Sequence, residues 1–202
     1  MMTPRARLPD TLLPQPWTVD AQSHRLDAAD WRPSPHQDAR PGGAADIDTL
    51  VVHAISLPPG EYGGAHIDAL FTDALDCDAH PYFAALRGLQ VSAHCCIFRD
   101  GGVHQYVGFD ARAWHAGASS FGDRSRVNDF SVGIELEGCD TEGFTEAQYA
   151  SLTRAARALM AAYPGIAPAR IVGHSDIAPG RKTDPGPHFD WQRLLAELRY
   201  RR

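Results

Sequence analysis

The sequence contains no long hydrophobic run and only four cysteines, and both absences narrow the functions open to it. No apolar stretch approaches the roughly twenty residues that a helix needs to span a bilayer, so no membrane-spanning segment is expected. The cysteines show no CxxC spacing, which predicts reduced core residues without a disulfide framework or cysteine metal cluster: Cys77, Cys95, Cys96 and Cys139. The first residues, MMTPRARLPDTLLPQPW, lack the continuous apolar segment of a signal peptide, and we therefore expect a cytoplasmic protein.

A positively charged surface is also missing. The formal net charge is −6, with an isoelectric point near 5.9, whereas long-range attraction to an anionic polymer needs a basic surface or patch. We therefore expect neither nucleic acid nor a membrane surface as a partner. The 202 residues, 44% hydrophobic and 22% charged, have the size and composition of one globular domain.

The first 46 residues differ in pattern from the rest of the chain. They are rich in proline, aspartate and arginine and have no convincing hydrophobic period. We expect residues 1–46 to form an extended N-terminal arm packed on or near the domain, with a disordered tail as the alternative. Because no internal repeat or linker interrupts residues 47–202, these are expected to form a single domain.

Strand patterns alternate with helical ones after residue 46. The apolar run 49–55, TLVVHAI, predicts a central strand covered on both faces, and residues 170–173 predict another short strand. Residues 94–107 predict a hairpin around the turn RDGG, and residues 130–137, FSVGIELE, alternate strictly as a strand does. Strands separated by helices, with a hairpin among them, indicate an α/β layered domain.

Helical patterns occupy three of the intervening segments. Residues 67–75 carry apolar residues at helical spacing, and Thr145 and Gln148 form the capping-box signature of a longer helix. Asp190 is the predicted N-cap of a last helix. The stretch HSDIAPGRKTDPGP is too rich in glycine and proline to be regular, and we expect an irregular loop there.

Two of the ten histidines follow predicted strands. His53 ends the strand TLVV, and His174 follows the strand ARIVG and begins a loop that contains Asp184. Ligand sites of α/β sheets gather at the carboxyl ends of strands, and two histidines with a loop carboxylate suffice for the three protein ligands of a catalytic zinc. From the residues alone a hydrogen-bonded core histidine and a solvated polar loop remain open alternatives.

Charged residues near these histidines are candidates for catalysis. Glu135 and Glu137 share one face of the strand GIELE, where a carboxylate beside a metal would act as a general base. The alternative is that both face solvent on a half-exposed strand. Lys182 or Arg181 would stabilise an oxyanion, unless they are ordinary exposed cations.

The remaining histidines divide by context. Trp114 and His115, in the loop AWHAG, form a plausible platform for a sugar or peptide, and His94 lies on a strand beside the proposed sheet. For both histidines, packing or a hydrogen bond to a metal ligand is preferred over metal ligation itself. The histidines in polar or proline-rich stretches are expected at the surface: His24, His36 and His80.

Five motifs in series give the chain a recognisable family pattern. They are VVHAISLPPGEYGG, VSAHCC followed by RDGGVHQYV, AWHAG, NDFSVGIELEG and GHSDIAPGRKTDPGP, within about residues 34–191. Together they closely resemble the AmpD family of cytosolic 1,6-anhydro-N-acetylmuramyl-L-alanine amidases. The resemblance implies the fold of peptidoglycan-recognition proteins and phage-lysozyme-type amidases, a mixed central sheet flanked by helices.

The resemblance also implies roles for particular residues. It assigns the zinc ligands to His53, His174 and Asp184, the catalytic glutamate to Glu135 and a catalytic lysine to Lys182. The family typically has asparagine after the strand-end histidine, whereas this chain has alanine. That departure at Ala54 puts efficiency and specificity in doubt but not the reaction type. The predicted substrate contacts are Ala54, His94, Trp114 and His115.

The activity implied is a zinc-dependent amidase domain over residues 47–202, with Zn²⁺ as its cofactor. It would hydrolyse the amide between the lactyl group of 1,6-anhydro-N-acetylmuramic acid and L-alanine in small soluble muropeptides, and a monomer is expected. One alternative is a non-catalytic peptidoglycan-fragment-binding module of the same fold, which would usually lack one metal ligand. Another is an exported or phage-type lytic amidase, for which a signal, a wall-binding repeat or a basic surface should be visible.

Overall fold

The structure is a computed structural model that describes residues 15–199, and a mixed β-sheet lies at its centre. The described strands, in chain order, are β1 (Asp30–Trp31), β2 (Gln37–Ala39), β3 (Thr49–Ile55), β4 (Cys95–Ile97), β5 (Val103–Gln105), β6 (Ala111–Ala113), β7 (Ser120–Phe121), β8 (Arg124–Ser125), β9 (Ser131–Glu137) and β10 (Ile171–Gly173). The α-helices are α1 (His66–Phe71), α2 (Glu146–Ala162), α3 (His174–Ile177) and α4 (Trp191–Arg199). Short 3₁₀ helices cover Ala44–Asp46, Pro81–Leu86, Val127–Asp129 and Pro168–Arg170.

Six of the strands within residues 15–199 form the central sheet in the order β1-β5-β4-β9-β3-β10. Only β4 and β5 pair antiparallel within it, as the predicted hairpin, and the other neighbours run parallel. The pairs β2-β6 and β7-β8 form two small antiparallel ribbons. The sheet and its helices confirm the predicted mixed fold, and no described helix is long and apolar enough to cross a membrane.

The two long strands, β3 and β9, are covered on both faces. On one face Val132, Ile134 and Leu136 pack in a core cluster that also contains residues of α2 and α4. On the other face Val51 packs in a second cluster with Ala116 and neighbouring side chains. Glu137 is only 2% exposed, so the alternative of a half-exposed β9 is wrong. Alternation along a strand shows which residues share a face, but not what covers that face.

Helices α2 and α4 begin where their caps predict. Thr145 Oγ1 accepts from the Gln148 backbone N–H at 3.1 Å, and Gln148 Oε1 accepts from the Thr145 N–H at 3.0 Å. The Asp190 carboxylate accepts from the Arg193 N–H at 2.9 Å, which caps α4. Both caps satisfy backbone donors that the first turn of a helix leaves without a partner.

Two predictions of regular structure are corrected. Helix α1 ends at Phe71 and not at residue 75, because Asp73 adopts a left-handed backbone with φ of 60°. The segment predicted to be wholly irregular begins with a short helix, α3, because the Asp176 carboxylate accepts from the Gly173 N–H at 2.7 Å. Periodicity alone detects neither feature, since each depends on one local hydrogen bond or dihedral angle.

The described part of the N-terminal segment packs on the sheet. Strand β1 adds to the sheet edge beside β5, β2 pairs with β6, and Leu26 is buried in the main core cluster. The buried Arg40 guanidinium donates to the backbone carbonyls of Phe109 and Ser131 at 3.1 and 2.6 Å. Residues 1–14 of the predicted arm lie outside the described residues.

Two further predictions about exposure are corrected. His36 is only 3% exposed, because its ring packs beside Trp114 and its Nδ1 lies 3.1 Å from the Val91 carbonyl oxygen. Cys95 and Cys96 are buried core residues as predicted, whereas Cys77 and Cys139 are partly exposed. All four thiols are free.

The capping box gives a direct test of how α2 is held. Replacing Thr145 with alanine removes the acceptor for the Gln148 N–H and the hydroxyl that donates to the Arg99 carbonyl at 2.7 Å. We expect Thr145→Ala to lower the free energy of unfolding by about 1 kcal/mol in urea titrations. Thr145→Ser keeps the hydroxyl and should stay close to the unaltered chain; equal losses in the two variants would contradict the capping account.

Candidate metal centre and cleft

Three neighbouring parallel strands bring the polar residues together. In the sheet order β9-β3-β10, His53 on β3 is directly opposite Glu135 on β9. Gly173, the last residue of β10, is opposite Val52, so His174 follows beside His53. The strands therefore place Glu135, His53 and His174 together at the carboxyl end of the sheet, where the site is predicted.

Three ligand-type atoms converge at this edge. His53 Nδ1 lies 3.0 Å from His174 Nδ1 and 3.2 Å from Asp184 Oδ2, and His174 Nδ1 lies 3.0 Å from the same oxygen. The Asp184 backbone carbonyl accepts from the Ser175 N–H at 2.9 Å, which ties the loop carrying the carboxylate back to α3. The sequence separates Asp184 from His174 by a glycine- and proline-rich loop, and this bond closes it.

The chemistry of these atoms fits a zinc ion. His174 Nε2 lies 3.2 Å from the Ala116 carbonyl oxygen, which only accepts, so this nitrogen carries the proton and Nδ1 presents a lone pair. The separations of 3.0–3.2 Å approach the edge of a tetrahedron, roughly 3.3 Å when ligands lie about 2.0–2.1 Å from its centre. Two imidazoles and a carboxylate suit zinc and leave a fourth position for water. His53, His174 and Asp184 therefore form a candidate metal centre.

The electrostatics of His53 support a role as a ligand. Its side chain is 1% exposed, and burial lowers the pKa of its imidazole to about 4 despite the opposing effect of Asp184. Burial likewise holds the pKa values of His94 and His115 well below their usual range. These imidazoles are neutral at pH 7, and the neutral form is the one that binds metals.

Glu135 and Glu137 have different environments, which the sequence alone did not separate. Glu137 accepts from the backbone N–H groups of Gly63 and Arg99 at 2.6 and 3.0 Å, so it holds two loops. Glu135 Oε2, in contrast, is the one buried side-chain polar atom without a hydrogen-bond partner in the described part of the chain. Burial, and then the charge of Asp184, raise the pKa of the Glu135 carboxyl well above its ordinary value, while Lys182 opposes them. A carboxylate with a raised pKa is suited to accept and return protons near neutral pH.

Lys182 and Arg181 are also distinguished by their contacts. Arg181 donates to the carbonyls of Ala116 and Ala118 at 2.6 and 2.8 Å and thus supports the loop beside the site. Lys182 is exposed, lines the cleft and is the only lysine of the chain. Its ammonium group makes no hydrogen bond or ion pair with another residue of the described range 15–199. It is therefore available to a ligand in the cleft.

An open cleft of about 490 Å³ leads to these groups. Its lining combines polar residues, Glu135, His174, Lys182 and Asp184, with a set of apolar residues that form an apolar wall. The apolar wall contains Leu57, Leu70, Phe71, Tyr82, Leu86, Leu89 and Val91. Tyr82 and Leu89 are 44% and 45% exposed, and no sequence pattern marks them. Exposure of large apolar side chains in a cleft is a common feature of ligand sites, but sequence pattern does not reveal it.

The predicted substrate contacts occupy different positions. Ala54, Trp114 and His115 line the cleft. Trp114 is held by a hydrogen bond from its indole Nε1 to the Asp38 carboxylate at 3.2 Å. His94 does not line the cleft: it is fully buried, and its Nδ1 accepts from the Gly133 N–H at 2.9 Å. The prediction of a substrate contact at His94 therefore has no support in this position.

Asn128 is a further residue that sequence reasoning missed. Its side-chain oxygen accepts from the backbone N–H groups of His115 and Ala116 at 3.2 and 2.8 Å. The Ala116 carbonyl in turn faces His174. Asn128 thus positions the loop that meets both histidine ligands, and its place in the motif NDFSVG was the available signal.

The unpartnered Glu135 carboxylate leads to a prediction about stability. Because its pKa is raised above the ordinary value of 4.5, Glu135 favours the folded state at low pH, and this contribution is lost as pH rises through the folded pKa. In chelator-treated protein Glu135→Gln should therefore raise the free energy of unfolding at pH 8 by at least about 1 kcal/mol, since each unit of pKa shift corresponds to about 1.4 kcal/mol. The difference from the unaltered chain should shrink toward pH 4.5.

Urea titrations of both proteins between pH 4.5 and 8 measure this difference. Glu137→Gln is the matched control, because Glu137 has hydrogen-bond partners for both oxygens and its substitution should destabilise the fold. A Glu135→Gln variant that is less stable than the unaltered chain at pH 8 would contradict this account. It would show that the Glu135 carboxylate does not lower the free energy of unfolding.

Comparison with known proteins supplies the family. Residues 43–187 match the N-acetylmuramoyl-L-alanine amidase family Amidase_2. The chain is 57% identical over 183 residues to the 1,6-anhydro-N-acetylmuramyl-L-alanine amidase AmpD of Escherichia coli strain K12, covering 91% of this chain and 94% of that relative.

Solved structures agree with the sequence match. A crystal structure of a selenomethionine derivative of AmpD superposes with a TM-score of 0.84 at 56% identity, covering 88% of this chain and 98% of that one. The Escherichia coli amidase AmiD, solved with the substrate anhydro-N-acetylmuramic acid-L-Ala-D-γ-Glu-L-Lys, superposes with a TM-score of 0.57 at 33% identity, covering 75% of this chain and 57% of that one. The chain therefore belongs to the AmpD family and is an N-acetylmuramoyl-L-alanine amidase.

Proposed function

We propose that this amidase is zinc-dependent and acts on small 1,6-anhydro-muropeptides, in which it hydrolyses the amide between the lactyl group and L-alanine. The observation that carries the proposal is the convergence of His53, His174 and Asp184 beside the unpartnered Glu135 carboxylate in one cleft. The anhydro sugar is suggested by the named activity of the AmpD relatives and by the substrate in the AmiD structure. The cytoplasmic location and the monomeric state stay predictions.

The metal would be held by His53 Nδ1, His174 Nδ1 and Asp184 Oδ2. When bound, zinc supplies a Lewis acid, which polarises an amide carbonyl and lowers the pKa of water from about 15.7 toward about 7. The protein contributes the spacing of the three ligand atoms, and it contributes burial around His53, which keeps that imidazole neutral.

Glu135 would act as general base and then as general acid. Its carboxylate takes a proton from the attacking water as the water oxygen bonds to the lactyl carbonyl carbon. As the carbon–nitrogen bond breaks, Glu135 passes this proton to the departing amine of L-alanine. The products are the free peptide amine and the lactyl carboxylic acid, which loses its remaining proton to solvent, and Glu135 returns to its starting charge. The raised pKa of Glu135 brings the two proton transfers closer to balance at neutral pH.

Lys182 would stabilise the negative charge that develops on the lactyl carbonyl oxygen. Its ammonium lines the cleft near the metal centre and has no competing partner among residues 15–199. A donor that meets the oxygen only when charge develops lowers the barrier without strengthening ground-state binding.

The rest of the cleft would bind the muropeptide. The Trp114 ring, held by Asp38 and packed beside His36, offers a rigid flat surface suited to a sugar face. Ala54 lines the cleft next to His53 and offers no hydrogen bond from its side chain. The apolar wall would exclude water from the reacting amide.

Turnover with and without metal is the direct test of this function. The purified, zinc-loaded chain is incubated with 1,6-anhydro-muramoyl tripeptide, and free tripeptide is measured by mass spectrometry. We expect release of tripeptide that stops on chelation and returns when zinc is restored. The matching muramoyl tripeptide without the anhydro ring tests the sugar preference. A folded protein with zinc bound and no release of tripeptide would overturn the proposal and favour a binding module.

Substitution of Lys182 tests its separate role. Because Lys182 is exposed, Lys182→Met should fold and bind zinc normally. We expect its kcat to fall by about 10²–10³-fold with little change in KM, the usual cost of removing an oxyanion donor. Lys182→Arg keeps the charge and should lose less. A Met variant with the kcat of the unaltered chain would exclude Lys182 from the reaction.

A further inference from the structure

His53 has a second ring nitrogen, and a chain of hydrogen bonds leads away from it. His53 Nε2 lies 2.9 Å from His115 Nδ1, and the two rings meet nearly edge to face at 84°. His115 Nε2 lies 3.2 Å from the Ser131 hydroxyl oxygen. The Ser131 hydroxyl donates to the Val127 carbonyl at 2.7 Å. This series of hydrogen bonds thus ends at a backbone carbonyl, which can only accept.

The direction of every hydrogen bond in this series follows from its last acceptor, the Val127 carbonyl. A hydroxyl carries one hydrogen, and Ser131 donates it to Val127, so its oxygen must accept from His115. His115 therefore carries its proton on Nε2, and its Nδ1 accepts from His53 Nε2. The proton of His53 is then on Nε2. The lone pair of His53 is left on Nδ1, the nitrogen that faces His174 and Asp184.

The packing around His115 leaves space for its ring at one position on β9. A Cβ added to Gly133 on β9 would lie 2.6 Å from His115 Nδ1, so only glycine leaves space for the ring against the strand. The backbone N–H of His115 donates to the Asn128 side-chain oxygen at 3.2 Å. The ring therefore packs against the strand at Gly133 and Ser131, and Asn128 holds the His115 backbone from the loop side.

We infer that His115 is a positioning residue that sets the metal-binding tautomer of His53. The Val127 carbonyl, which only accepts, fixes the direction of the Ser131 hydrogen bond, and Ser131 in turn fixes the proton of His115 on Nε2. The inference rests on the metal centre of the proposed function. His174 achieves the same result in one step, because its Nε2 faces the Ala116 carbonyl directly. Both histidine ligands thus owe their orientation to a backbone carbonyl, one directly and one through two side chains. A hydrogen bond to the outer nitrogen of a ligand also strengthens that ligand toward the metal.

Two substitutions of His115 separate positioning from space filling. In His115→Asn an amide oxygen occupies the place of Nδ1 and still accepts from His53. In His115→Gln the amide reaches toward Ser131, but a carbon stands at the place of Nδ1. Positioning predicts that the Asn variant binds zinc more tightly than the Gln variant, although Gln is closer to histidine in length and keeps the Ser131 contact. A purely structural role predicts the reverse order.

Zinc affinity is measured by competition with a chromophoric chelator, a readout independent of turnover. We expect the dissociation constant to rise about 10–100-fold in His115→Gln and less in His115→Asn. Ser131→Ala, which leaves His115 in place but removes its acceptor, should weaken binding by an intermediate factor. His104→Gln is the matched control, because His104 bonds to Asp68 and makes no contact with the metal centre.

The unaltered protein supplies a test without substitution. In the zinc-loaded chain, long-range ¹H–¹⁵N spectra of the histidine rings report which nitrogen carries the proton. We expect the proton of His115 on Nε2. A proton on Nδ1, or on both nitrogens, would overturn the inference.

The outcomes distinguish this inference from the proposed function. Tight zinc binding by the unaltered chain, with equal affinity in the Asn, Gln and Ser131→Ala variants, would overturn the inference and leave the metal centre intact. Failure of the unaltered, folded chain to bind zinc would overturn the proposed function and the inference with it. Weakened zinc binding in the order Gln, Ser131→Ala, Asn, with His104→Gln unchanged, would support both.

Discussion

Two imidazole nitrogens and a carboxylate oxygen, held 3.0–3.2 Å apart, repel one another through their lone pairs unless a proton or a cation lies between them. The fold maintains this spacing from several directions. Parallel pairing of β3 with β10 sets the distance between the histidines, and the bond from Ser175 to the Asp184 carbonyl closes the loop. Backbone carbonyls on the outer side leave the lone pairs directed inward. A metal ion removes this repulsion. The close approach of the three lone pairs therefore accounts for the affinity of the site for a cation.

Charged groups without a protein partner lie around this centre, and the apolar core supports the strands that carry the site. The Oε2 atom of Glu135 is buried without a hydrogen-bond partner, and Lys182 has no partner within the described range. Directly behind them, β3 and β9 are covered on both faces by side chains with almost no exposure. A protein selected for stability alone would pair or replace such groups, whereas catalysis requires them to be left available. The position of these unpartnered groups therefore indicates the same functional site as the family assignment.

Much of the scaffold was predictable because its signals are local. The apolar run of β3, the alternation of β9, and the caps at Thr145 and Asp190 are each contained within a few residues. The positions of His53 and His174 at strand ends predicted a shared edge of the sheet, which the register confirms. What covers the second face of β9, and which partners surround Glu137 and His115, depends on contacts between distant segments. Spacing in the sequence does not contain that information, so these residues were understood only in three dimensions.

X-ray absorption at the zinc K-edge of the loaded protein tests the central claim most directly. Coordination by His53, His174 and Asp184 predicts four light-atom ligands, two of them imidazoles, at about 2.0–2.2 Å. In His174→Ala one imidazole contribution should be lost. A sulfur ligand at about 2.3 Å, or an unchanged spectrum in the His174→Ala variant, would contradict the account, because the metal would then be bound by other residues.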